Sequence, residues 1–446
     1  MLGERKLKDL IDRVLRASQA DHTEVIITAR EHQLTRFANN GIHQNVAERG
    51  VDVRVRAILG RRQGVASTND LSPEGLTRVV ETALTLARWQ PEMDTSPPLA
   101  EKASSTSSVI GFDEGTASCS PDRRADAVSV MCALAKEAGM TASGFVSTEV
   151  IEAVVANDLG LFAHGLGSVA EMKATIMGED SSGTAEAAAW RIDELDPEAI
   201  GREALERALR GRNPRPLPPG TYPVILESYA VADMLSHLGV LGFNALAVQE
   251  GRSFLEGKLG QQVMHPAVSI WDDATDPTGL PWPYDWEGVP KRRTPLVEGG
   301  VARGLVYDLT TASRDGVEST GHGLPAPNPR GPLPGHMFMA PGDITVEEMI
   351  SSMERGLYVS TFHYTRPVHP KWMVVTGMTR DGTYWIENGE IAYPVKNLRF
   401  TQSYVDALAH VEAIGRETRL IRGWMGGYRV PAIRVSAFTF TGVTEF

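Results

Sequence analysis

The sequence predicts an α+β protein: an N-terminal antiparallel sheet with helices on one face, followed by a β-rich C-terminal domain. Three observations carry this. Val51, Val53 and Val55 alternate with Asp52, Arg54 and Arg56, the period-2 pattern of a half-buried strand. Ser72-Pro73 and Ser120-Pro121 are helix starts, because Ser caps the first turn and Pro is tolerated inside it. The 43 glycines and 27 prolines among 446 residues imply many turns and strands. A chain of this length is also expected to build more than one core.

In chain order, Leu7, Leu10, Ile11, Val14 and Leu15 recur at helical spacing, so the chain opens with an amphipathic helix. Residues 24–67 read as short strands, with Gly60-Arg61-Arg62 turning one of them back. Helices are expected from Ser72 to about Trp89 and from Ser120 to about Ala138. The Ser/Thr/Pro-rich stretch 95–111 between them reads as a loop. Residues 141–156 and 160–179 look like paired strands, and 197–211 like a helix.

Four prolines in 213–220 cannot sustain a helix or a central strand. They mark a linker between an α+β domain, 1–212 (with a middle segment from about 115), and a β-rich domain, 221–446. There, 222–226 reads as a strand and 230–243 as a helix. Residues 271–295 and the five-proline stretch 320–335 read as loops, and 345–355 as a helix. Residues 372–378 and 383–394 read as strands, 379–382 as a turn, 403–417 as a helix and 432–441 as a last strand. Glu298-Gly299-Gly300 and Asn388-Gly389 are hairpin turns.

Composition narrows the function. A formal charge of −12 argues against a nucleic-acid surface, which needs concentrated Lys and Arg. The basic run Lys291-Arg292-Arg293 lies among prolines and reads as a solvated loop. No stretch is long and apolar enough to span a membrane. The two cysteines, Cys119 and Cys132, form no framework, and a reduced, cytoplasmic setting is expected. Cys132 falls on an apolar helix face and reads as core.

Signatures of autonomous catalysis are missing. None of the 11 histidines has a partner at i+4, the spacing that puts two ligands on one helical face. There is no GxSxG elbow and no Walker-A loop. Gly321-His322-Gly323 is followed by prolines where a phosphate-binding helix would have to begin.

Residues 247–260 (AVQEGRSFLEGKLG), 341–358 (PGDITVEEMISSMERGLY) and 378–400 (MTRDGTYWIENGEIAYPVKNLRF) resemble the TldD/PmbA family. Residues 20–25 (ADHTEV) and 50–67 (GVDVRVRAILGRRQGVAS) resemble its N-terminal domain. The resemblance implies a peptidase fold in which TldD members carry HExxxH on a helix, with two His ligands for zinc and a Glu base, plus a Cys near the C-terminus. Here Ser236 and Leu241 stand where those His would be and His237 replaces the Glu. No Cys follows Cys132. The chain is therefore similar to the PmbA (TldE) type, with no cofactor of its own and zinc expected only in a TldD-like partner. The resemblance further implies a cytoplasmic dimer, with that partner or with itself, acting on small or unfolded peptides. His322, Tyr364, Arg366 and Arg380 are the candidates for lining a peptide groove. The rival readings are a self-associating hydrolase using His322 or His237, and a non-catalytic peptide- or protein-binding module.

Overall fold

The computed structural model describes residues 1–101 and 109–444. Part of the expected 95–111 loop, residues 102–108, lies outside the described residues. The first half runs α1 (Glu4–Ala17), β1 (His22–Ala38), β2 (Gly41–Leu59), β3 (Arg62–Thr68), α2 (Pro73–Trp89), α3 (Glu114–Ala117), α4 (Pro121–Glu137), β4 (Thr141–Asn157), β5 (Phe162–Met177), β6 (Ser182–Ala189) and α5 (Pro197–Arg210). The strands form one antiparallel sheet in the order β3-β2-β1-β4-β5-β6. The expected short strands are in fact long: β1 has 17 residues and β2 has 19.

Alternation assigns the two faces of this sheet. Val25 and Ile27 of β1 and Val154 and Ala156 of β4 pack beneath α1 and α2. Farther along the same sheet, Val146, Met172 and Ala174 pack beneath α4 and α5, where Cys132 is core as expected. Ile26, Val155 and Ala163 point the other way, against Tyr284, Trp286 and Leu309 of the second half. The helix starts follow their caps: Ser72 Oγ accepts from Gly75 N–H and Ser120 Oγ from Arg123 N–H, both at 3.1 Å.

The second half comprises β7 (Gly220–Leu226), α6 (Ser228–Leu241), α7 (Ala245–Gln249), β8 (Ile270–Asp272), β9 (Thr294–Glu298), β10 (Val301–Ala302), α8 (Leu309–Asp315), β11 (His336–Met339), α9 (Val346–Ser351), β12 (Arg355–His369), β13 (Val374–Glu387), β14 (Glu390–Pro394), β15 (Leu398–Ser403), α10 (Tyr404–Ala409), β16 (Val411–Arg422) and β17 (Gly427–Val443). They form a mixed sheet. Because β7 pairs in parallel with β12 and antiparallel with β17, strands β7, β12, β13, β15 and β17 close into a ring. Val224, Leu357, Val375, Phe400 and Ile433 from those strands share one core with Met234, Leu235 and Leu238 of α6.

Three expectations need correction. The helix expected over 403–417 is only α10, and its remainder is strand. Pairing of Val411 and Ile414 with Val435 and Ile433 overrides the helical pattern of charges. The helix expected over 345–355 stops at Ser351, because Arg355 already pairs with Glu387. The two strands expected around a 379–382 turn are one continuous strand, β13. Asp381 (φ 52°) and Gly382 (φ 133°) form a bulge in it, opposite the register shift between Val359 and Thr361. The Asn388-Gly389 hairpin is present, with φ of 54° and 80°, the left-handed pair that such a turn requires.

Candidate functional site

Helix α6 positions the site. Apolar almost all round, it is largely buried, as such helices must be. Its polar residues Asp233, Ser236 and His237 recur at i, i+3 and i+4 and so share one side. Asp233 and Ser236 open on a cleft of about 520 Å³, within the range of ligand pockets. The cleft lies between the two halves of the chain: β6 supplies Thr184 and Glu186, β12 supplies His363, β13 supplies Arg380, and Trp424 stands near its rim.

The walls are tied by hydrogen bonds across the halves. Asp381 accepts from the hydroxyls of Ser182 (2.5 Å) and Thr184 (2.8 Å), holding β13 to β6. Asp233 accepts from Thr365 Oγ1 at 2.7 Å and Tyr404 OH at 2.8 Å, fixing α6 against β12 and α10. Tyr229 OH accepts from the N–H of Glu186 (3.0 Å) and donates to its carbonyl (3.1 Å), closing the outer edge of β6 at that residue. Buried Arg207 reaches Glu203, Glu227 and the Thr184 carbonyl. Burial works against its charge, yet Glu227 and Glu203 hold its pKa above the ordinary value.

One edge of β12 is left open. It pairs with β7 only at Leu357, Tyr358 and Val359, but follows β13 as far as His369. Over 361–366, among the described residues, one side of this strand therefore has no strand partner, and Thr361, Phe362 and His363 of this stretch line the cleft.

The three positions where the resemblance places metal chemistry do not fit a metal. Ser236 carries a hydroxyl, which faces Tyr428; burial pushes the Tyr428 hydroxyl up and Ser236 opposes that shift. His237 Nδ1 lies 3.0 Å from the Asp233 carbonyl oxygen, and its ring stands edge-on to Tyr404 at 5.7 Å. Leu241 packs on the core of the second half. Among the described residues, no three His, Cys, Asp or Glu side chains converge as a ligand set.

The four candidate groove residues are not brought together. Arg380 lines the cleft, with Nε 3.9 Å from Asp381 Oδ1. Tyr364 and Arg366 lie just beyond it on the exposed part of β12, the Arg366 guanidinium 4.2 Å from the Tyr364 ring centre. Tyr364 has φ 55° and is 65% exposed, a left-handed conformation unfavourable for a large side chain. His322 lies elsewhere, buried on the wall of a separate cavity between the halves. Its Nε2–H donates to Asp272 Oδ1 at 2.8 Å and its Nδ1 faces Thr320 Oγ1 at 2.8 Å. Burial alone would raise Asp272, but His322, Lys291 and His336 hold it well below the usual carboxylate range. Burial, with Lys291, lowers His322. The pair is thus an ionised carboxylate and a neutral imidazole, with both ring nitrogens engaged.

Sequence reasoning missed Asp233, Glu186 and Trp424 of the cleft. Asp233, three residues before Ser236 on the same helix, carried a usable signal; the others come together only through tertiary pairing. The basic run also needs correction. Arg292 and Arg293 are exposed, but Lys291 is half-buried and turned inward, because the backbone pairing of Lys291 N–H with the Pro283 carbonyl pins the segment to the interior.

The comparisons with known proteins agree along the chain. Residues 23–87 match the PmbA/TldA metallopeptidase domain 1, 114–212 its central domain and 219–442 its C-terminal domain. Metalloprotease PmbA of Escherichia coli O157:H7 is 26% identical over 379 residues, covering 80% of this chain and 79% of that protein. A metalloprotease of Methanothermobacter thermautotrophicus is 29% identical over 54% of this chain, and the match spans only 53% of its length. In structure, TldE from Thermococcus kodakarensis superposes with a TM-score of 0.88 at 23% identity, covering 98% of this chain and 100% of that one; at that identity the likeness speaks for the fold. Among the described residues, no helix is long and apolar enough to cross a membrane. The chain belongs to the PmbA/TldD metallopeptidase family.

Proposed function

We propose that this chain is the metal-free subunit of a TldD/TldE-type peptidase. It shapes the cleft in which an extended peptide lies, while a partner chain bearing HExxxH supplies the zinc chemistry. The observation that carries this reading is the pairing of a kept cleft with lost ligands. Helix α6 still presents Asp233 and Ser236 to a cleft of about 520 Å³, yet the positions for two imidazoles hold a hydroxyl and a leucine packed against the core. A hydroxyl does not replace an imidazole as a stable zinc donor, and a leucine offers no donor.

The cleft suits an extended chain rather than a compact ligand. The open edge of β12 over 361–366 offers main-chain donors and acceptors, which bind a peptide by strand addition without demanding a particular sequence. Arg380 and Lys173 on the walls supply donors for peptide carbonyls. Small or unfolded peptides are the substrates such a surface favours.

Mixing tests the reading. The purified chain alone, a HExxxH-bearing family member alone, and the two together are assayed on an unstructured peptide. Cleavage that appears or rises at least about tenfold only on mixing, and falls in a mixture containing Arg380→Glu, supports the proposal. Cleavage by this chain alone would instead make it a self-sufficient hydrolase. Peptide binding without cleavage in any mixture would make it a binding module.

A further inference from the structure

A second cavity, about 100 Å³, lies between β5 and the 280–291 and 322–336 segments of the second half. Its walls are largely apolar, with Leu280, Trp282, Trp286 and Met425 among them. Gly167 lets the Trp282 ring reach β5, where a Cβ would stand 3.1 Å from ring carbons. The cavity is therefore a built feature of the interface between the halves.

Its polar groups divide into committed and uncommitted. Asp272, behind the lining residues His322 and His336, spends one oxygen on His322 and the other on the His336 N–H at 2.7 Å. Asp285 accepts three backbone N–H groups, from Gly323, Glu287 and Val289 at 2.7–2.9 Å. Both acids are thus occupied by the protein's own donors. The Lys291 ammonium makes no hydrogen bond or ion pair among the described residues, although it lies in the fields of Asp272 and Asp285. His336 is 7% exposed, and its buried Nδ1 has no hydrogen-bond partner among the described residues. Leaving a buried polar atom unpartnered is costly, so such a group asks for an occupant.

We propose that this cavity binds a small aliphatic carboxylate, its head on Lys291 and His336 and its apolar body against Trp282, Trp286 and Leu280. Lys291 and His336 offer one ammonium and one imidazole, which match a single anionic head. An apolar cavity of about 150 Å³ accepts benzene, so this one suits a body of a few carbons. The same chemistry is offered by a free short-chain acid and by the terminal carboxylate of a peptide. Arg422 lines both this cavity and the peptide cleft, which places the two sites on opposite sides of one residue.

The test uses the full chain, titrated calorimetrically with isobutyrate and with isobutyramide, its neutral isostere. For a ligand of this size, a Kd of about 1 mM or tighter is expected for the acid and at least about tenfold weaker binding for the amide. In Lys291→Gln the preference for the acid disappears. Should that variant fail to fold, the acid–amide comparison on the native chain decides alone. Gly-Gly-Val and its C-terminal amide form the second arm: discrimination there but not with isobutyrate assigns the site to a peptide terminus. Equal binding of acid and amide in both arms, no binding of either acid, or an acid preference unchanged in a folded Lys291→Gln would overturn the proposal.

Discussion

Replacing Asp272 by Ala removes the acceptor for two buried donors, His322 Nε2–H at 2.8 Å and His336 N–H at 2.7 Å. Neither makes another hydrogen bond among the described residues, and each orphaned donor costs about 1–3 kcal/mol, so the loss is about 4 kcal/mol. Asp272→Asn is different. Its amide oxygen still accepts from His336 N–H, and its NH2 meets His322 Nε2 once the imidazole moves its proton to Nδ1. That nitrogen then donates to Thr320 Oγ1, 2.8 Å away, which can in turn donate to the Tyr307 carbonyl at 3.2 Å. The Asn variant therefore keeps every bond and should cost only about 1 kcal/mol. Urea unfolding followed by tryptophan fluorescence measures both, with the midpoint shifting at constant slope. Nitrogen chemical shifts of His322 should report Nε2–H in the native chain and Nδ1–H in Asp272→Asn. Equal losses for the two variants, or a loss below about 1 kcal/mol for Asp272→Ala, would refute this reasoning.

Other expectations follow from the same structure. Arg207→Met leaves Glu227 without its buried counter-ion, while Glu203 keeps Arg419 at 2.8 Å, and should cost about 3 kcal/mol in the same unfolding assay. Gly64→Ala sets a Cβ 2.2 Å from the Ala83 carbonyl oxygen and the Ala87 nitrogen, so β3 must separate from α2; a lowered unfolding midpoint, by about 2 kcal/mol or more, checks it. Burial, with Lys291 and His322 and against Asp272, lowers His336 to about 3, below its unfolded value of roughly 6.5. Its contribution to stability is complete above about pH 6.5 and is lost as pH falls toward 3. Asp285, raised to about 6 by burial, acts with the opposite sign, so the His336 part is isolated by comparison with His336→Leu. Stability of that variant should fall less between pH 7 and pH 5 than that of the native chain, by about 1–2 kcal/mol, and equal slopes would contradict the assignment.

Much of the fold was legible because local rules and tertiary packing agreed. The Ser72 and Ser120 caps, the alternation in β2, and the Asn388-Gly389 turn each state one structure, and the chain adopts it. Disagreement arose where pairing partners far away in sequence decide. Residues 411–417 carry charges at helical spacing, but β17 claims them as strand. The 379–382 segment has turn residues, yet its partner strand absorbs them as a bulge. The site divides in the same way. Ser236, His237 and Leu241 could be read as positions on one helix, and the structure gives each a distinct setting. His322 reads as an uncommitted loop histidine only until Asp272, 50 residues earlier, appears at its Nε2. Lys291 looked solvated because nothing in an Arg/Lys run reveals which member a backbone hydrogen bond will turn inward. The cleft itself, made by β6, α6, β12 and β13, has no local signature.

The most direct test of the central claim is the zinc content of this chain, purified in the presence of zinc, beside a HExxxH-bearing family member treated identically. With Ser236 and Leu241 at the ligand positions, the account predicts stoichiometric zinc in the HExxxH chain and no more than about a tenth of that here. One zinc held per molecule of this chain, and lost together with peptide cleavage on chelation, would contradict it.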